Sequence, residues 1–144
     1  MFDDNYYMKQ ALKEALRAFD EDEVPIGAIV VCRDQIIARA HNMVERLNDV
    51  TAHAEMQAIT AAAEALGGKY LNECTLYLTV EPCPMCAGAI GWSQLGRLVY
   101  GAPDSKRGYT LIAPHALHPK TQVSSGVLEE ECAKLMKNFF ARKR

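Results

Sequence analysis

Apolar positions recur along this chain with two periods, and the switching between them lays out the fold. From Asn5 to Asp20 the period is helical: Met8, Leu12, Ala15, Leu16 and Phe19 fall at i, i+4, i+7, i+8 and i+11 and form one stripe. The acidic run Asp20-Glu21-Asp22-Glu23 ends that helix as a loop. Ile26 to Val31 is a continuous apolar run, too short for a core helix, and predicts a buried strand. Arg33-Asp34 then predicts a hairpin turn into a second strand, Gln35 to Ala40.

A loop from His41 to Val50 leads to Thr51, whose side chain suits the N-cap of a helix over Ala52 to Leu66. Met56, Ile59, Ala63 and Leu66 give that helix its expected buried face, and Gly67-Gly68 stops it. Cys74 to Val80 alternates as a strand does, with Cys74, Leu76, Leu78 and Val80 on one side. Pro84 fits the first turn of the next helix, where its missing N–H costs nothing. Leu98 to Tyr100 predicts a short strand, and a loop carrying Gly101, Pro103, Gly108 and Pro114 follows. Leu128, Cys132, Leu135, Met136 and Phe139 mark a C-terminal amphipathic helix. The order α-β-β-α-β-α-β-loop-α predicts an α/β sandwich around a mixed sheet.

Length and composition narrow the function classes. At 144 residues the chain fits a single domain over residues 1–144. Hydrophobic residues at 49% and charged residues at 24% exclude wholesale disorder. No apolar run approaches the roughly 18 to 20 residues that span a bilayer, and the acidic start MFDDNYYMKQ is unlike a secretory or transit peptide. Five cysteines, an odd number, favour a cytoplasmic enzyme with thiols recruited to a site over a disulfide scaffold. Charge is uneven: residues 1–96 carry 7 basic and 14 acidic side chains, and residues 97–144 carry 9 and 4. A basic C-terminal third on an acidic body suits either a helix end complementing its dipole or local contact with a polyanion.

The chemistry concentrates at the starts of two helices. One segment is Thr51-Ala52-His53-Ala54-Glu55, the other Glu81-Pro82-Cys83-Pro84-Met85-Cys86. Cys83 and Cys86, at i and i+3, face one side of a helix's first turn, whose positive end favours thiolates. Two thiolates and one imidazole suit zinc, and three protein ligands leave a fourth position for water. Glu55, beside the metal without binding it, can carry the proton that hydrolytic removal of an amine requires. On an ideal helix residues two apart point about 200° apart, so His53 and Glu55 share a site only at the helix entrance.

His53-Ala54-Glu55 followed by Pro82-Cys83-Pro84-Met85-Cys86 resembles the zinc-dependent cytidine and adenosine deaminases. Val24-Pro25-Ile26-Gly27-Ala28, Asn42, Cys86-Ala87-Gly88-Ala89-Ile90, Gly101-Ala102-Pro103-Asp104-Ser105-Lys106 and Phe139-Phe140-Ala141-Arg142-Lys143-Arg144 resemble the bacterial tRNA-specific adenosine deaminases. The resemblance covers nearly the whole chain. It implies a three-layer α/β/α cytidine-deaminase-like sandwich around a five-stranded mixed sheet, and a cytoplasmic homodimer. The implied reaction is conversion of the wobble adenosine of a tRNA anticodon to inosine. The implied zinc ligands, one ion per subunit, are His53, Cys83 and Cys86, with Glu55 as proton shuttle. Asn42 and the backbone at Ala54 would hold the extruded base. Asp104 and Lys106 would follow the RNA backbone, and Phe140 and Arg142 would cradle the anticodon stem-loop.

Pro84 and Gly91-Trp92 resemble instead the related guanine deaminases, and the stretch from Arg107 to Val127 is shorter than in the tRNA enzymes. Deamination of free bases or nucleosides, of guanine or cytosine type, is therefore the alternative. A non-catalytic zinc or redox module is a third reading, and Glu55 speaks against it, since a structural site has no use for an unligated carboxylate. Cys74 is the spare thiol for a four-ligand site, while Cys32 and Cys132 read as core thiols. His115 and His118 read as loop residues, and Trp92 as packing or a dimer contact.

Overall fold

The computed structural model describes residues 2–143, so Arg144, the last residue of the basic ending, lies outside the described residues. Eleven elements follow in order: α1 (Asp4–Asp20), β1 (Gly27–Cys32), β2 (Gln35–His41), α2 (Val44–Leu47), α3 (Ala54–Leu66), β3 (Cys74–Val80), α4 (Pro84–Trp92), β4 (Arg97–Ala102), α5 (Tyr109–Ile112), β5 (Gln122–Ser125) and α6 (Glu129–Arg142). The strands form one five-stranded sheet in the order β2-β1-β3-β4-β5. β1 is antiparallel to β2 and β3, whereas β3, β4 and β5 run parallel. This is the mixed α/β sheet that the patterning and the resemblance anticipate.

Alternation along the strands splits the core into two layers. Ala28 and Val30 of β1 and Leu76 and Leu78 of β3 pack with Ala54, Ala58 and Ala62 of α3 and Ala87 and Ile90 of α4. Ile29, Val31 and Tyr77 point the other way, onto Tyr7, Met8 and Ala11 of α1 and Cys132 of α6. All six residues of β1 are buried, which explains its unbroken apolar run.

Two helices turn a different face to the sheet from the one their large apolar residues suggest. In α1 the buried apolar residues are Tyr7, Met8, Ala11, Ala15 and Ala18, and Leu16 is 48% exposed. The cause is close approach. A Cβ on Gly27 would lie 2.0 Å from the Ala11 carbonyl oxygen and 2.5 Å from the Ala15 nitrogen, so α1 meets β1 through small residues. In α3 Ala54, Glu55, Ala58 and Ala62 are buried while Leu66 is 40% exposed. We expect Gly27→Ala to cost about 3 kcal/mol, the upper range for overpacking, and to lower Tm by roughly 10 °C in thermal denaturation. Gly68→Ala, whose Cβ would meet nothing within 4 Å, serves as the neutral control.

Thr51 is not the cap of α3. Asp49 Oδ1 accepts both its N–H and its hydroxyl at 2.8 Å, forming a local turn, and the helix starts two residues later with His53 as N-cap. The stretch expected as loop after β2 contains α2, whose first-turn N–H groups at Glu45 and Arg46 donate to the Glu23 carboxylate at 3.0 and 2.7 Å. The loop after β4 contains α5 and the edge strand β5. The ends of β2, β3 and β4 at His41, Val80 and Ala102 and the start of β1 at Gly27 meet at one margin of the sheet. Two helices begin there.

Candidate active site

That margin brings the two sequence segments together. His53 precedes α3 in extended conformation (φ −72°, ψ 153°), and Cys83 precedes α4 in the same way (φ −73°, ψ 170°). Because His53 lies outside the helix, the helical offset between it and Glu55 does not apply, and both face the site. His53 Nδ1 lies 3.7 Å from Cys83 Sγ and 3.4 Å from Cys86 Sγ. The three ligand atoms all fall within 4.8 Å of one another, the one such cluster among the described residues.

The electrostatics separate the two thiols. A hydrogen bond from Cys86, reinforced by His53, pulls the Cys83 thiol down to about 4. Cys86 is pushed up by its bond to Cys83 and by burial. The His53 imidazole is raised, chiefly by its bond with Cys83. Glu55, in the first turn of α3 and 2% exposed, is pushed up to about 7 by desolvation. Its Oε1 is the single buried side-chain N or O atom without a hydrogen-bond partner among the described residues.

This donor set fits zinc. Two thiols and an imidazole converge, and an orphaned carboxylate oxygen stands beside them as it must if it serves a bound water or substrate. Cys74 cannot be a fourth ligand, because it pairs in register with Cys32 at the opposite end of β1 and β3.

A cavity of about 980 Å³ opens beside His53 and Glu55, and Val24, Ile26, Asn42 and Ala54 are among the other residues lining it. Asn42 is buried and held on both sides: Nδ2 donates to the Val24 carbonyl at 3.4 Å, and Oδ1 accepts from the Val44 N–H at 3.3 Å. A second groove of about 1220 Å³ adjoins it, sharing Val24, Ile26 and Lys143, and holds Asp104, Lys106 and Phe140. Phe140 is 45% exposed, whereas Asp104 Oδ1 accepts the N–H groups of Lys106 and Arg107, each at 3.0 Å. Arg142 lines neither cavity. Its guanidinium donates to the Phe19 carbonyl at 2.7 Å, contacts Asp22, and stacks 3.9 Å from the Phe19 ring centre. Sequence reasoning missed Glu23 and Glu81, both buried, and the groove's Arg107 and Lys137. The available signal for the two carboxylates was an acidic residue directly beside a buried segment.

The family model of the cytidine and deoxycytidylate deaminase zinc-binding region matches residues 1–102, and the chain belongs to that family of zinc-dependent hydrolytic deaminases. Among particular relatives, it is 46% identical over 149 residues to the tRNA-specific adenosine deaminase of Bacillus subtilis strain 168, across the whole of this chain and 92% of that protein. A solved structure from work on A-to-I editing by tRNA:A34 deaminases at the wobble position of transfer RNA superposes with a TM-score of 0.84 at 45% identity, covering 90% of this chain and 98% of that one. The guanine deaminase of Bacillus subtilis is also similar, at 38% identity and a TM-score of 0.68, over 71% of this chain and 66% of its own.

Proposed function

We propose that this chain hydrolytically deaminates adenosine to inosine at the wobble position of a tRNA anticodon, with one zinc ion per subunit held by His53, Cys83 and Cys86. The observation that carries the reading is Glu55, a buried carboxyl with one unpartnered oxygen beside a three-donor cluster. Bound there, zinc would lower the pKa of a water at its open position, making hydroxide available near neutral pH. Glu55 would take one proton of the attacking water and pass it to the ring nitrogen, then carry the second, from the hydroxyl formed at C6, to the amine, which leaves as ammonia. A pKa raised to about 7 suits a group that must both accept and donate. Asn42 and the Ala54 backbone, in the same cavity, orient the base.

The choice of a tRNA substrate is supported by the tRNA-specific relatives and by the second groove. Its cationic Lys106, Arg107 and Lys137 beside the half-exposed Phe140 suit phosphates next to a stacked base. Asp104 shapes the Lys106 turn, and Arg142 contributes by fastening the end of α6 against α1. Bases of an anticodon loop are partly unstacked already, so extruding one costs less than in a duplex. The reading includes a homodimer, supported by exposed Trp92, Leu111 and Ile112 on α4 and α5. It includes a cytoplasmic location, consistent with five unpaired cysteines. No helix among the described residues is long and apolar enough to cross a membrane.

The likeness to guanine deaminase keeps a free-base substrate as the second reading. An assay of inosine formation and ammonia release separates them. We expect inosine in an anticodon stem-loop carrying a wobble adenosine, and no ammonia from guanine, cytosine, adenosine or cytidine. Turnover of a free base with the stem-loop untouched would replace the tRNA reading with the alternative.

A further inference from the structure

We propose that Glu81 is a positioning residue that ties the Cys83 turn to the basic loop 104–107, and so sets where Lys106 and Arg107 meet the RNA backbone. The inference rests on the tRNA reading and extends it. Glu81 directly follows β3, two residues before Cys83, and is 5% exposed. No cation forms an ion pair with it among the described residues; its partners are three neutral donors. The Asp104 N–H donates to Oε1 at 3.0 Å, and the Thr110 N–H and hydroxyl donate to Oε2 at 3.0 and 2.6 Å. The next carbonyl, of Pro82, accepts from the Tyr109 N–H at 3.0 Å.

Two further features show that the contact is built. A Cβ on Gly108 would lie 2.3 Å from Glu81 Oε2, so the backbone of this loop comes closer to the carboxylate than any side chain allows. Asp104 then passes the constraint onward, its Oδ1 accepting the N–H groups of Lys106 and Arg107. Pro103, Ser105, Lys106 and Arg107 are exposed, leaving the loop little packing of its own. A continuous path of bonds therefore leads from the zinc-ligand turn to two cations on the groove wall. Such registration matters because small displacements of a bound substrate from its reacting group are costly in rate.

Stem-loop binding measured from 50 to 200 mM salt, with zinc content, tests this. Wild type is expected to bind with a clear salt dependence. Glu81→Gln, whose amide N–H₂ opposes donors on one side, should keep its zinc and bind about tenfold more weakly. Its log–log salt slope should be shallower by about 0.7 for each phosphate that the displaced cations no longer neutralise. Thr110→Val should shift affinity about threefold in the same direction, and Thr110→Ser should restore it. In a Lys106→Ala/Arg107→Ala background Glu81→Gln should add little, since it acts through those cations. Native affinity and slope in Glu81→Gln, or a full additive loss in that background, overturns the proposal. If Glu81→Gln loses zinc or fold, Thr110→Val decides: a threefold shift with zinc retained supports the coupling, and native binding refutes it. Failure of the wild-type protein itself to bind the stem-loop removes the tRNA reading, and that outcome is seen in the wild-type arm alone.

Discussion

Glu55→Ala is expected to keep one zinc per chain and a native thermal transition while its turnover on an anticodon stem-loop falls by about 10³-fold, within the range general acid–base groups contribute. The separation of effects follows from where the carboxyl stands. Glu55 lies in the first turn of α3, buried, and belongs to none of the three donors that converge at the cluster. Its Oε1 accepts no hydrogen bond, so removing it breaks little that holds the fold. On the proposed mechanism, what is lost is the proton carrier, whose pKa burial raises to about 7. Glu55→Gln preserves volume but cannot take a proton, and should be as inactive as the alanine variant. Glu55→Asp retains the acid but withdraws it by one methylene, for which a loss of about 10²-fold is expected. Single-turnover inosine formation measured beside metal content checks all three. Activity within tenfold of wild type in either the Ala or the Gln variant would remove Glu55 from the mechanism.

The order of the long elements is readable from the chain because each carries its own period, and the metal cluster is readable because its parts are local motifs at helix starts. The phase of α1 is not readable. The largest apolar residues suggest a face that includes Leu16, but Gly27 lets the backbone approach at Ala11 and Ala15, a fact held 12 to 16 residues away. The entrance of α3 is misread for a similar reason: Thr51 has the side chain of a cap, yet Asp49 engages its hydroxyl first. α5 and β5 have four residues each, and β5 offers one large apolar side chain, Val123. Pairing with β4, Gln122 opposite Arg97, makes it a strand. Glu23 and Glu81 escape notice because their partners are 22 to 29 positions away and are mostly backbone N–H groups that no motif displays.

Cys83→Ala should abolish both zinc binding and activity, and the other cysteines provide the contrast that makes the result specific. Removing an outer partner of a metal ligand typically costs about 10–100-fold in affinity; removing one of only three ligands should cost more, leaving the purified variant essentially zinc-free by elemental analysis. Cys83 is the donor most ready to bind, since Cys86 and His53 already hold its thiol down to about 4. Cys86→Ala should behave alike, as Cys86 Sγ lies closer still to His53 Nδ1, at 3.4 Å. Cys74→Ala and Cys132→Ala should retain zinc. Cys74 sits opposite Cys32 at the far end of the sheet, and Cys132 packs from α6 against the other face. Burial raises both of these thiols to about 12, and neither belongs to the cluster of three converging donors. They should therefore change stability alone, through the small cavities they leave. Full zinc content in Cys83→Ala would refute the ligand set, and loss of zinc in Cys74→Ala would move the site to the other end of the sheet. If the ligand set is right, metal content will follow Cys83 and Cys86 while melting temperature follows Cys74 and Cys132, because one pair lines the helix starts and the other fills the core.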